Sequence, residues 1–182
     1  VYGGLDGVTE ARETRPTKLA GGIERSVSRG RAMDEMSLKI LRILQKQPDL
    51  TVAEIGERVG LSHTPCWRRI KEMERDGIIM GRTIRLDARA LGFDVSVFCF
   101  IRLKQHDEGT LLAFEKAVRA MPEAVQCYSM TGDHDYVLRI LAKSVREYEE
   151  ILKRSLLHLP GVGFVNSSFA LDELKNTSEL PI

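Results

Sequence analysis

No apolar run in the 182 residues approaches the roughly 18 to 20 that a membrane-spanning helix requires, so a bilayer span is excluded. Cysteine is scarce. Cys66, Cys99 and Cys127 are too few and too scattered for a disulfide framework or a close-spaced zinc motif, which points to a reducing cytoplasm. No apolar segment with a small-residue cleavage site opens the chain, so no secretory signal is expected. The Gly3-Gly4 and Gly21-Gly22 pairs lack the Lys-Ser/Thr or strand-to-helix context of a phosphate or dinucleotide loop. An excess of one charge is missing as well, with 27 Lys+Arg against 26 Asp+Glu.

That balance conceals an asymmetry. Residues 33–90 carry 11 basic and 9 acidic groups, whereas residues 91–182 carry 10 and 13. Only the first part suits a polyanion, and there the clustering of charge matters more than its sum. Residues 1–32, rich in glycine and scattered charge without an apolar period, read as a flexible extension.

From Asp34 an amphipathic pattern runs through Leu38, Leu41 and Leu44, widened by Ile40 and Ile43, and stops before Pro48. Thr51-Val52-Ala53-Glu54 is a capping box opening a second helix, which ends at Gly60. In Leu61-Ser62-His63-Thr64-Pro65, Thr64 is the expected N-cap and Pro65 the first helical residue of a third helix. Its Cys66, Ile70, Met73 and Gly77 recur at spacings of four, three and four, one inward stripe. Residues 78–86 form two short apolar or alternating runs about Gly81-Arg82, the pattern of a β-hairpin. Three helices and a ribbon predict a winged helix-turn-helix over 33–86, followed by a hinge over 87–93.

Residues 94–182 alternate strand and helix patterns. Strands are expected over 95–103, 125–131, 136–142 and 162–171. Helices are expected over 109–121, facing inward through Leu112, Ala113, Val118 and Met121, and over 145–159. The order βαββαβ predicts an α+β, ferredoxin-like sheet with both helices on one face. Its other face needs a cover, and a second copy of the chain is the simplest one. Cys99 and Cys127 lie in strands and are expected to pack.

Two constellations carry chemistry. On the third helix the inward stripe leaves Trp67, Arg68, Lys71 and Arg75 facing elsewhere, with Ser62, His63 and Thr64 at its start and Arg69 at the edge. The second helix of a helix-turn-helix enters the major groove, where Arg and Lys meet guanine or phosphate. A solvated basic face is the plainer reading, but an exposed Trp and the preceding helix and turn favour DNA contact. His63 and Cys66 supply only two of the four ligands of a closed zinc site, and Cys66 falls on the core stripe, so no metal is expected. The second constellation is Gly132-Asp133-His134-Asp135. Its turn N–H groups can hold a carboxylate, and Asp135 or Asp133 can accept from an ammonium group. The plainer reading is a turn between strands.

The segment Val52 to Lys71, with Val-Gly-Leu-Ser-His-Thr-Pro-Cys-Trp-Arg-Arg-Ile-Lys, resembles the helix-turn-helix of the leucine-responsive/asparagine regulator (Lrp/AsnC) family. Thr-Gly-Asp-His-Asp-Tyr-Val-Leu, Leu-Pro-Gly-Val and Ser-Ser-Phe-Ala-Leu further along resemble it too, and the likeness spans Asp34 to Ile182. The resemblance implies a regulator of transcription whose C-terminal domains form dimers and then octamers or other assemblies. It also implies an amino acid or related metabolite bound between subunits, and places the effector loop at Gly132–Asp135 with Ser167 and Ser168 on the same interface. His134 replaces the aromatic or aliphatic residue common there. The Pro-Cys-Trp triplet and the Leu-Pro-Ile ending look closest to cysteine-responsive members. The expectation is therefore a cytoplasmic, nucleoid-associated protein that binds double-stranded DNA and an amino acid, with no other cofactor and no catalytic step. Asp133, His134 and Asp135 as enzymic acid and base fit poorly, because three adjacent turn residues do not converge on one atom. Such an enzyme would also leave the DNA reader unexplained.

Overall fold

The computed structural model describes residues 33–182; the expected extension over 1–32 lies outside them. Helix α1, Glu35–Lys46, is opened by Asp34, whose carboxylate accepts from the Ser37 N–H. Helix α2, Val52–Val59, carries the full capping box: Thr51 accepts from Glu54 N, and the Glu54 carboxylate accepts from Thr51 N at 2.7 Å. Gly60 closes α2 with φ 74°, in the left-handed region. Gly56 matters as much, since a Cβ there would stand 2.6 Å from the Leu61 carbonyl oxygen. The tight turn into α3 depends on that missing atom.

Helix α3, His63–Arg75, starts two residues earlier than the sequence suggests. Ser62 occupies the N-cap, and its side chain makes no cap hydrogen bond; Thr64 is therefore inside the helix. Pro65 still falls in the first turn, where an N–H has no intrahelical acceptor to lose. Cys66, Ile70 and Met73 are buried against Ile40 of α1 and Ile55 of α2, as the stripe requires, but Gly77, expected on the same stripe, lies exposed beyond the helix end with φ 73°.

The expected hairpin does not form. No β-ladder joins residues 78–86, and the arm runs extended with Ile84 and Leu86 exposed. Alternation alone specifies strand-like backbone but no pairing partner, and here Ile79 packs against the helical core while Ile78, Ile84 and Leu86 stay exposed. Side chains hold the arm instead: Arg82 donates to the Pro48 carbonyl at 2.9 Å and Arg85 to the Asn176 carbonyl at 2.8 Å. Residues 87–93, expected as a hinge, hold a turn in which the Asp87 carboxylate accepts from Arg89 N and Ala90 N.

Strands β1 (Val95–Leu103), β2 (Ala124–Ser129), β3 (Tyr136–Ala142) and β4 (Val162–Phe169) form one antiparallel sheet in the order β2-β3-β1-β4. Helices α4 (Glu108–Arg119) and α5 (Val145–Arg154), with a short 3-10 turn at Leu156–His158, cover one face. The architecture is the α+β, ferredoxin-like arrangement. Val97, Cys99, Ile101 and Leu103 alternate into the core with Tyr136, Leu138, Ile140 and Ala142 opposite.

Two details depart from the sequence reading. Helix α4 turns Leu111, Phe114 and Val118 inward, with Met121 just beyond its end, and leaves Leu112 and Ala113 outside. Phe114 is wholly buried, its ring centroid 4.4 Å from that of Tyr136, and the largest side chain fixes the helix rotation. Cys127 is exposed rather than packed, since β2 is an edge strand that the helices only partly cover. Cys99 is buried, with its sulfur 3.2 Å from the Tyr148 hydroxyl, which in turn lies 2.5 Å from Ser167 Oγ. The other sheet face carries Phe98, Phe100, Tyr128, Val137, Leu141 and Phe164.

Candidate DNA-reading helix and effector turn

Helix α3 advances about 100° per residue, which puts Thr64, Arg68, Lys71 and Arg75 within about 50° of the pole opposite Cys66, Ile70 and Met73. All four are exposed, and Trp67 beside them is 47% exposed although it is the one Trp in the chain. Ser62 and His63 are exposed at the same end. Among the described residues the Arg68 guanidinium has no hydrogen-bond or ion-pair partner, so its five donors face outward unused. Lys71 leans on Glu74 at 2.6 Å and Arg75 on Asp76 at 3.0 Å, both in exposed pairs that exchange cheaply for a phosphate.

Arg69 stands apart. Its guanidinium donates to Asp34 Oδ2 at 2.5 Å and to Ser37 Oγ at 3.2 Å, which ties α3 to the start of α1. The Asp34 carboxyl is held down at about 2 by its hydrogen bonds with Ser37, aided by Arg69. Sequence spacing put Arg69 on the edge of the reading face; its partners lie 35 and 32 residues away, where spacing carries no information. The Cys66 thiol is buried, and burial raises its pKa, making it a packing group.

The turn between β2 and β3 is organised by its own chain. Gly132 has φ 106° and open space where a Cβ would be. The Asp133 carbonyl accepts two bonds from Arg102, at 3.0 and 2.7 Å, while the Asp133 carboxylate has no partner among the described residues. His134 lays its ring against Phe100, 5.3 Å between centroids, at the margin of the uncovered sheet face. Both oxygens of Asp135 are engaged: Oδ2 accepts from Leu103 N at 2.7 Å, and Oδ1 meets His106 Nε2 at 2.7 Å. Partial burial pushes the Asp135 carboxyl up, but the Leu103 N–H, His106 and the Arg102 charge outweigh it and hold it below the usual carboxylate range.

Ser167 and Ser168 do not join this turn within one chain. Ser168 pairs with Phe98, three residues along β1 from the Ile101 that pairs with Tyr136, or roughly 10 Å at a strand's rise. Ser167 points to the opposite side, into the helical layer, against Tyr148. His106 and Arg102 are the turn residues that sequence reasoning missed. Strand alternation could have placed Arg102 on the open face, but nothing local marks His106.

Comparison with known proteins matches residues 33–80 to a winged helix-turn-helix DNA-binding model and residues 96–180 to the Lrp/AsnC ligand-binding domain. The chain belongs to the Lrp/AsnC family. It is 35% identical over 150 residues to the DNA-binding transcriptional activator DecR of Escherichia coli, covering 82% of this chain and 99% of that protein. Among solved structures, an AsnC family transcriptional regulator from Agrobacterium tumefaciens is 42% identical with TM-score 0.77, over 82% of this chain and 97% of the other. A transcriptional regulator of Neisseria meningitidis, solved as its complex with L-Met, is 32% identical with TM-score 0.77, over 82% and 96%. This Lrp/AsnC protein is thus a DNA-binding transcriptional regulator with a ligand-binding domain, and not an enzyme. No described helix is long and apolar enough to cross a membrane.

Proposed function

We propose that this regulator reads double-stranded DNA through Ser62, His63, Thr64, Trp67, Arg68 and Lys71, and that an amino acid seated at the Gly132–Asp135 turn changes that binding. The observation that carries the reading half is Arg68, without a partner among the described residues, beside exposed Trp67 on the face of α3 that the core leaves free. Arg69 supports this face from behind by tying α3 to α1.

For the effector, the turn N–H groups near Gly132 donate to a carboxylate, and the Asp133 carboxylate, without a partner among the described residues, is the better partner for an ammonium. Asp135 acts through the turn it staples. The turn borders the sheet face bearing Phe98, Phe100 and Phe164, and a second copy of the chain covering that face completes the pocket and brings Ser168 towards it. Dimers of this kind, building octamers or other higher assemblies as the family does, form the working state. A small amino acid is the effector, with cysteine first on the likeness of the Pro-Cys-Trp region; the L-Met complex of the Neisseria relative supports an amino acid as the ligand.

The test is a thermal-shift screen of the twenty amino acids on purified protein, since a ligand of the native state raises Tm by an amount set by its concentration over Kd. Hits are then titrated with DNA selected from a random pool, with native mass followed in parallel. A hit that shifts both Tm and DNA affinity supports the reading. If no amino acid shifts either, the effector assignment fails.

A further inference from the structure

After β4 the chain makes one more ladder bond, Ala170 N to the Ser96 carbonyl at 2.9 Å, and then runs extended over the molecule. Leu171 and Leu174 point away from it, 97% and 92% exposed, so apolar burial does not hold this tail. Polar anchors do. Glu173 pairs with Arg139 at 2.5 Å; Arg139 stands on the uncovered sheet face, donates to Ser96 Oγ at 3.0 Å, and its side chain is only 17% exposed. Asp172 meets Arg89 of the hinge at 3.5 Å, and the Asn176 carbonyl accepts from Arg85 of the extended arm at 2.8 Å. Farther on, Leu180 offers both its N–H and its C=O to the Gln45 side-chain amide of α1, at 2.5 and 3.3 Å, while Arg42 of α1 donates to a main-chain oxygen of Ile182.

One segment thus touches, in order, the sheet, the hinge, the arm and the first helix of the DNA-reading domain. We propose that residues 170–182 are a polar strap that sets the position of the DNA-reading domain on the ligand-binding domain, so that whatever covers the open sheet face is felt at helix α1. The strongest anchor is at the sheet. A mostly buried guanidinium needs its counter-charge, and Glu173 is the one carboxylate paired with Arg139 among the described residues. The distal contacts are exposed and individually weak, so they hold only while the tail is kept close by its neighbours along the chain. Releasing Glu173 therefore loosens the grip on α1, which makes the strap reversible. A second copy docking on the open face meets the Arg139–Glu173 pair directly, and that is where assembly would act on it.

The experiment measures the distance distribution between spin labels at exposed positions Lys39 of α1 and Glu150 of α5, each changed to Cys in a Cys127→Ser background. Labelled full-length chain is diluted with unlabelled chain so that distances within one subunit dominate, and no amino acid is added. Glu173→Gln and Gln45→Ala, at opposite ends of the strap, should each broaden the distribution. Their combination should broaden it no further, and the exchanged pair Arg139→Glu with Glu173→Arg should restore the wild-type width. Wild-type width in either single variant overturns the proposal, as does failure of the exchanged pair to restore it. Because no effector is used, that failure leaves the effector reading standing.

Discussion

Helix α3 and the turn at Gly132–Asp135 are the two places where we propose that this chain meets its ligands, and they are prepared in opposite ways. The proposed reading face keeps its donors available: Arg68 has no partner among the described residues, and Lys71 and Arg75 are held only by exposed neighbours. The turn spends nearly everything on itself, with Arg102 on the Asp133 carbonyl and both Asp135 oxygens committed to Leu103 and His106. A polyanion can dock on the first with little rearrangement. In the proposed dimer the second presents a rim whose other wall comes from a second copy, which suits a site that senses assembly as well as ligand.

The sharpest way to break this comparison is Asp135→Ala. It removes a charge-assisted acceptor from a partly buried N–H and frees the His106 loop, and should lower folding stability by about 2 kcal/mol as well as abolish the amino-acid response. Asp133→Ala should abolish the response and leave stability unchanged. Urea denaturation of both variants separates a staple from a contact; equal stabilities would undo the distinction. Next in size, Arg68→Ala should weaken binding to a selected duplex by about 1 to 3 kcal/mol with no change in Tm. Lys71→Ala should lower affinity for all sequences alike and reduce the salt slope by about one. The smallest effect is expected at Asp34. Its pKa falls from 3.8 unfolded to about 2 folded, so its contribution is present above the unfolded value and is lost as pH falls through the folded one. Asp34→Asn keeps a capping side chain but cannot titrate, so it should lose less stability than wild type between pH 4 and pH 2. Parallel denaturation curves for the two proteins over that range would show that Arg69 and Ser37 do not depend on this charge.

What the sequence makes legible is whatever is decided within a few residues. The Thr51–Glu54 capping box, the Gly60 stop and the Cys66-Ile70-Met73 stripe are local, and they stand where spacing puts them. The order of strands and helices is legible for the same reason. Choices between near-equivalent local options are not: Leu112 and Leu111 both suit a stripe on α4, and only the volume of Phe114 against Tyr136 decides. The arm at 78–86 has the alternation of a hairpin, yet alternation names no partner. Least legible are bonds between distant segments, such as Arg69 to Asp34, His106 to Asp135 and Glu173 to Arg139. Those long-range bonds decide which candidate residues remain free to act.

The half-exposed Trp67 also gives the molecule an optical property. With a single indole in the chain, and that indole on the reading face, tryptophan emission comes from one place alone. Stacking against bases or exclusion of water at that face would change its intensity and colour, while events at the sheet, which begins at Val95, would leave it unchanged unless they reach the helix. The unlabelled protein is therefore its own fluorometer: an amino acid that alters the emission before any DNA is added has been felt across the hinge.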